Sequence, residues 1–413
     1  MNQPLRFAVR KFAPFEKALQ QTWAQYCQLT GCTTALEAIP MDLHELHDSL
    51  LTQQGMVNGD WDIAHLVTDW IAEAADQGAC EDLAPYIAQQ PPEDFPQGWP
   101  ASLLAFQQYG ERTLALPFHD GPECLVYRKD LFEDPAEQAA FRQAYHRELA
   151  PPQTWEEFLE TAAFFQRPEQ QLYGTAFAAF PDGHNTVFDF CLQLWTRNGE
   201  LTDGTQAVRI DTPEAAAALD FYRQVISNPA LVHPQSHHFD SVKLGAAFAN
   251  GELAMMINWF GFASVCDVET TCPVHGKVAI ASVPKGAGGR HASLNVYWMY
   301  TIATGSRQKA LAYDFIRFAT SRANDRALTL QGGIGCRLST WHDAEVNRTV
   351  PYYHQLEALH QNACTLPRHR QWAAIAAIID RAVIRASGTS DASAIILAEA
   401  QQEIEQLRDN HHS

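Results

Sequence analysis

The feature that most constrains this chain is the alternation of short apolar runs with amphipathic stretches near its N-terminus. Leu5, Phe7 and Val9 alternate with Arg6 and Ala8, the period of two that a strand requires. After a turn at Arg10 to Pro14, residues Phe15, Leu19, Trp23 and Tyr26 recur at helical spacing. A second step repeats the order. Ile63 to Val67 reads as a buried strand, Thr68 or Asp69 can cap, and a helix is expected from near Trp70 to Gly78. Strand, helix, strand, helix specifies a parallel sheet covered on both faces, so the expected fold class is α/β. At 413 residues the chain exceeds one ordinary core, and two or three domains are expected.

Further along, Thr113 to Phe118 reads as a β run broken at Pro117, followed by the polar link His119-Asp120-Gly121-Pro122 and a second run at Leu125 to Tyr127. A hairpin and a crossing between two sheets both fit this pattern. Helices then dominate. Thr154 with Glu157 forms a capping box, and Thr212-Pro213-Glu214 is a strong helix start. Val278 to Val283 is a β run that leads into a Gly-rich stretch, Pro284 to Gly289, expected as a mobile surface loop. Asn295 to Ala303 is strongly β, Ser306 is expected to cap a helix carrying Leu311, Phe315, Phe318 and Ala319, and Ala392 to Leu407 forms an amphipathic helix.

Charge narrows the function. Against 29 Lys and Arg stand 48 Asp and Glu, a net of -19, so the basic surface that tracks phosphates is missing and no nucleic-acid partner is expected. No apolar run approaches the roughly 20 residues that span a bilayer. Met1 to Leu5 carries no basic segment followed by an apolar stretch, so no export signal is expected there. The nine Cys lack C-x-x-C spacing and read as small buried hydrophobes. His44 and His47 are three residues apart where the zincin helix needs four, and His233, His237 and His238 lack a close partner other than Asp240. Lys285 to Arg290 lacks the G-K-[ST] ending of a phosphate loop, and no G-x-S-x-G elbow is present. The expectation is no catalytic residue, no metal and no cofactor.

The positive signal is aromatic. Trp, Tyr and Phe supply 11% of the chain, and Phe12, Trp70, Trp259, Phe260, Tyr297 and Trp298 are read as standing where β runs end. Ligands of open α/β sheets sit beyond the carboxyl ends of strands. Aromatic faces beside Asp, Asn, His and Arg suit a sugar, whose C–H faces stack while its hydroxyls hydrogen-bond. Each of these rings also fits plain core packing.

Several ordered motifs carry a family resemblance. They are Trp61-Asp62-Ile63-Ala64 with Asp82-Leu83-Ala84-Pro85-Tyr86, Leu116-Pro117-Phe118 through Val126 to Phe132, and Pro152 to Phe158. Phe248 to Met255, Val283-Pro284-Lys285-Gly286 and Gly332-Gly333-Ile334 complete the series. In this order the chain resembles the family 1 extracellular solute-binding proteins of ABC importers, the maltose-binding-protein type. The resemblance implies a two-lobe periplasmic-binding-protein-like fold of type II with discontinuous lobes. It places residues 1–118 with 284–325 in an N-terminal lobe and 119–283 with 326–413 in a C-terminal lobe. Hinge strands near 118–122 and 282–285 would close the lobes on a sugar, polyol or sugar derivative held in the cleft.

Residue by residue, the resemblance implies solute contacts from Arg10 and Phe12, Asp69 and Trp70, and His119 and Asp120. It adds His184 and Asn185, Trp259 and Phe260, then Asn295, Tyr297 and Trp298, and Arg337. Asp69, Trp259 and Trp298 are the preferred positions. Arg128 stands where the family often carries Asn, and with Arg10 and Arg337 it raises an anionic solute, since the guanidinium fork matches carboxylate and phosphate. Surface solvation of all three arginines is the simpler expectation. The implied partners are the solute and ABC permease subunits, for a monomer in the periplasm; the alternative location is the cytoplasm. The alternative functions are a carbohydrate-active enzyme using His119 or Asp120 as acid or base, and a non-transport solute sensor.

Overall fold

The computed structural model describes residues 3–409. Its strands in chain order are β1 (Leu5–Arg10), β2 (Leu36–Met41), β3 (Ile63–Val67), β4 (Gln108–Tyr109), β5 (Arg112–Thr113) and β6 (Leu116–His119). There follow β7 (Glu123–Arg128), β8 (Met255–Trp259), β9 (Val278–Ala281), β10 (Ser293–Leu294), β11 (Trp298–Ile302) and β12 (Ala363–Cys364). They fall into two compact units. Unit 1 holds the chain up to Gly121, Val296–His354 and Arg368–Arg370; unit 2 holds Pro122–Asn295, Gln355–Pro367 and the chain from Gln371 onward.

Unit 1 is built on the sheet β2-β1-β3-β11-β6. β1 runs parallel to β2 and β3, as the repeated strand–helix order requires, while β11 lies antiparallel to both β3 and β6. Leu5, Phe7 and Val9 point into a core shared with Phe15, Leu19, Trp23 and Tyr26 of the helix Ala13–Thr30. Gly31 ends that helix at φ 74°, a left-handed conformation that glycine adopts without strain, and its N–H donates to Cys27 O at 2.9 Å. Phe315 and Ile316 of the helix Lys309–Ala319 join the same core. The expected cap after β3 takes another form. Thr68–Trp70 is a 3₁₀ turn, and Thr68 Oγ1 accepts the Tyr297 N–H at 3.2 Å instead of capping the helix Ile71–Asp76.

Unit 2 is built on an antiparallel sheet, β8-β7-β9, and a small parallel pair, β10 with β12. Its helices start where the sequence indicates. Thr154 Oγ1 accepts the Glu157 N–H at 3.2 Å, although Glu157 reaches back to the Gln153 N–H, one residue before the cap. Thr212 Oγ1 accepts the Ala215 N–H at 3.2 Å, with Pro213 in the first turn. The helix Asn185–Trp195 is buried along its whole length and packs against Pro213–Ile226 and Trp372–Gly388. β6 and β7 belong to different sheets, so the link at His119 to Pro122 is a crossing and not a hairpin.

The return path differs from the expected one. Residues 284–295 pack in unit 2, and the chain rejoins unit 1 at Val296, where it stays through His354. Hydrogen bonds fix this. The Lys285 N–H donates to Gln153 O at 3.0 Å, the Gly286 N–H to Thr196 O at 2.9 Å, and Ser293 Oγ to Glu123 O at 2.5 Å. The Gly-rich stretch expected as mobile is therefore docked onto the end of the helix Asn185–Trp195. A Cβ on Gly289 would lie 1.9 Å from Thr196 O, a backbone atom that cannot swing aside. Gly289→Ala is expected to destabilise the protein by about 1–3 kcal/mol in chemical denaturation. Gly204→Ala, which meets nothing within 4 Å, should leave the transition unchanged.

Candidate functional site

The carboxyl ends of β1, β3 and β6 and the start of the antiparallel β11 reach one edge of the unit 1 sheet. Register places Trp298 opposite Val67 on one side and His119 on the other. The Trp298 ring meets that of Trp70 edge-on at 5.9 Å, and Trp70 in turn meets His47 at 5.0 Å. Phe12 packs edge-on against Phe15 at 5.0 Å and His119 at 6.3 Å. Asp69 lies half-buried in the 3₁₀ turn that presents Trp70, and Arg10 lies half-buried at the end of β1. The expected residues Arg10, Phe12, Asp69, His119 and Trp298 therefore gather at one sheet edge, with Trp70 buried against Trp298.

Two histidines on this sheet are held neutral by geometry. His119 Nδ1 accepts the Ile334 N–H at 2.9 Å, which leaves the ring hydrogen on Nε2 as a donor. Burial pushes its pKa down to about 3, only partly opposed by the charge of Asp120. His65, fully buried on β3, accepts the Arg10 N–H on Nδ1 at 3.2 Å, and burial likewise holds its pKa well below the usual value. Asp120 is buried, and its N–H donates to Ile334 O at 2.9 Å, so Ile334 grips both residues of the crossing.

Unit 2 carries a second face. β8 ends at Trp259, which lies opposite Glu123, the first residue of β7. The Phe188 ring meets Trp259 edge-on at 5.6 Å and His184 at 5.8 Å. Asp182 orders the helix start: its Oδ1 accepts the N–H groups of His184 and Asn185 at 2.9 and 3.1 Å, and its Oδ2 accepts Asn185 Nδ2 at 2.9 Å. His184, Asn185 and Trp259 are thus brought together. Phe188 and Asp182 were missed, since a Phe at helical spacing reads as core and an Asx turn has no pattern of its own.

Four expected positions have structural duties instead. Phe260 is fully buried as the first residue of the helix Phe260–Val268, because the turn after Trp259 rotates the next side chain inward. Tyr297 is 1% exposed, and its hydroxyl donates to Leu103 O. Asn295 is buried beside β12, its N–H on Cys364 O at 2.9 Å. Arg337 has no exposed side-chain surface: Nε donates to Thr320 O at 3.0 Å, Nη1 and Nη2 to Glu93 O at 2.9 and 2.5 Å, and the guanidinium lies 4.1 Å over the Trp99 ring. Arg128 is similarly committed, in a two-pronged pair with Asp130 at 2.7 and 2.6 Å.

Two of the histidines considered for metal, His47 and His233, have other partners. His47 Nε2 lies 3.0 Å from Glu73 Oε2, and His233 Nδ1 accepts the Gln235 N–H at 3.1 Å. Among the described residues, no three His, Cys, Asp or Glu side chains gather as a metal cage.

The neutral ring of His119 has a titration consequence. Its pKa is depressed from about 6.5, so its contribution to stability is present above pH 6.5 and is lost as pH falls toward 3. Imidazole ¹⁵N spectra are expected to show His119 as the neutral Nε2–H tautomer throughout pH 5–8. A ring that charges near pH 6.5 would contradict the geometry.

The comparisons with known proteins agree with this architecture. A family model described as bacterial extracellular solute-binding protein matches residues 15–349. A probable ABC transporter-binding protein of Deinococcus radiodurans is 24% identical over 263 residues, covering 62% of this chain and 59% of that protein. The chain thus spans about three fifths of the length of that relative. The mannitol-binding protein of Pseudomonas aeruginosa is 28% identical over 338 residues, covering 75% of this chain and 69% of the relative. Among solved structures, maltose-bound T. maritima MalE3 superposes with a TM-score of 0.86 at 24% identity, covering 98% of this chain and 100% of that one.

Proposed function

Because this chain belongs to the bacterial extracellular solute-binding protein family, we propose that it is the capture component of an ABC importer for a neutral sugar or polyol. The observation that carries the reading is the pair of Trp-bearing faces. Trp298 with Trp70, His119 and Asp69 ends one sheet, and Trp259 with Phe188, His184 and Asn185 ends another. Each face contributes a ring for stacking on C–H groups and uncharged donors for hydroxyls. The mannitol-binding and maltose-bound relatives support the solute class.

Two of the three arginines that suggested an anion are satisfied internally, which favours a neutral solute. Catalysis is not part of the reading. His119 has its Nδ1 occupied and resists charging, so it offers no acid or base at neutral pH. The solute leaves unchanged and passes to permease subunits at the outer face of the membrane, with the protein acting as a monomer.

A thermal-shift and calorimetric panel of D-mannitol, maltose and sugar acids tests this. A true solute at about 100 times its Kd adds roughly 2.7 kcal/mol to stability. Trp259→Ala and Trp298→Ala should each weaken binding at least tenfold, about 1.4 kcal/mol. Binding of sugar acids alone, or conversion of the solute seen by NMR, would overturn the reading.

A further inference from the structure

The Trp259 face of unit 2 is backed by two carboxyl groups that no cation among the described residues answers. Glu123 lies opposite Trp259 in the β7–β8 ladder and is 6% exposed; Asp189 follows Phe188 on the helix Asn185–Trp195 and is 8% exposed. Glu123 Oε2 is buried without a hydrogen-bond partner among the described residues, and Asp189 faces the Tyr222 hydroxyl of the helix Pro213–Ile226. The remaining titratable neighbours are Cys124 on β7, Cys191 on the Asp189 helix, Cys364 on β12, and Asp380, which acts on Tyr222 from the helix Trp372–Gly388. Arg290 and Glu200 act on Cys364, and His184 and Asp182 on Asp380. β8 and β10 add no charge. Among the described residues, no Lys, Arg or His acts on either carboxyl directly.

Two buried anions that feel each other's charge repel, and each loses its hydration; two uncharged acids avoid both penalties. Burial, reinforced by the charge of Asp189, holds Glu123 well above the usual carboxylate range. Burial pushes Asp189 up to about 8, with the Tyr222 hydroxyl pulling it partly back. The same two residues stand next to the groups that hold Trp259: its ladder partner is Glu123 itself, and its ring contact is Phe188, one residue before Asp189.

We propose that Glu123 and Asp189 are positioning residues, an uncharged acid pair that seats Trp259 and makes solute capture fail in alkaline solution. The proposal rests on the reading of Trp259 as a solute contact. β10 cannot relieve the charge, since the hydroxyl of its first residue, Ser293, is spent on the Glu123 carbonyl.

The test is a pair of titrations from pH 6 to 10 on the full chain, its Asp189→Asn and Glu123→Gln variants, and Trp259→Phe as an emission reference. In calorimetry with D-mannitol and maltose, the unsubstituted protein is expected to lose affinity at least tenfold between pH 7 and 9.5. Its solute-free tryptophan emission should change over the same range, and that change should be missing from Trp259→Phe. The neutral isosteres should flatten both curves, a rescue that a merely structural role would not give. If one isostere fails to fold, the other carries the comparison. Affinity that holds steady to pH 9.5, or a pH profile that persists in both isosteres, would overturn the proposal while leaving the transport reading standing. If neither solute binds at pH 7, the transport reading fails, and the solute-free emission titration still decides the acid pair.

Discussion

The ladder that β11 forms with β3 on one side and β6 on the other is the interaction on which unit 1 depends. Without β11, β6 has no partner in the sheet, and the inner edge of β3 is open. The inserted strand comes from more than 170 residues beyond β6, so the first sheet closes only when the chain has built most of unit 2 and returned. Strand pairings of such separation are slow to form because the loop must be closed before the ladder repays it. The same insertion places Trp298, the first residue of β11, and its antiparallel direction brings that residue to the edge where the parallel strands end.

A second constraint runs through the late loop of unit 1. Asp325 is buried and accepts the N–H groups of Cys336 and Arg337 at 2.8 and 3.3 Å and the Thr340 hydroxyl at 2.5 Å. Gly335 must be a glycine for this to fit, as a Cβ there would lie 2.3 Å from Asp325 Oδ2. The loop so fixed presents Ile334, whose N–H and carbonyl bind His119 and Asp120. The state of the His119 ring is thereby set by a carboxylate on a different element. Buried polar groups of this kind are stabilising only when every partner is in place, which ties the loop, the crossing and the sheet edge into one unit.

Much of this was legible in the sequence. The strand–helix repeats of β1 and β3 gave the parallel core, and the Thr154 and Thr212 starts were correct, because those features depend on local periodicity and capping. What local pattern cannot carry is which distant segment a residue will meet. The Gly-rich stretch at Pro284 to Gly289 reads as loose because its partner, the Thr196 carbonyl, lies some 90 residues away. Arg337 reads as an anion donor because nothing nearby reveals that Thr320, Glu93 and Trp99 enclose it. Phe260 and Tyr297 illustrate the same limit at the scale of one residue. Each adjoins a half-buried Trp, and the backbone rotation between neighbours decides which of the two faces outward.

The contrast between the arginines and the tryptophans bears on chemistry. A guanidinium held by two carbonyls and an aromatic ring, as in Arg337, has its donors engaged, and freeing it for an anion would strand the buried Thr320 carbonyl. An indole at a strand end carries no such engaged set of donors: Trp298 and Trp259 are half-buried and meet Trp70 and Phe188 at near-right angles. His119, opposite the first of these rings in the ladder, is kept uncharged by a backbone N–H and burial, and so adds a donor without adding charge. Surfaces of rings and uncharged donors discriminate by the arrangement of hydroxyls and C–H faces and not by net charge, which is the distinction a polyol presents.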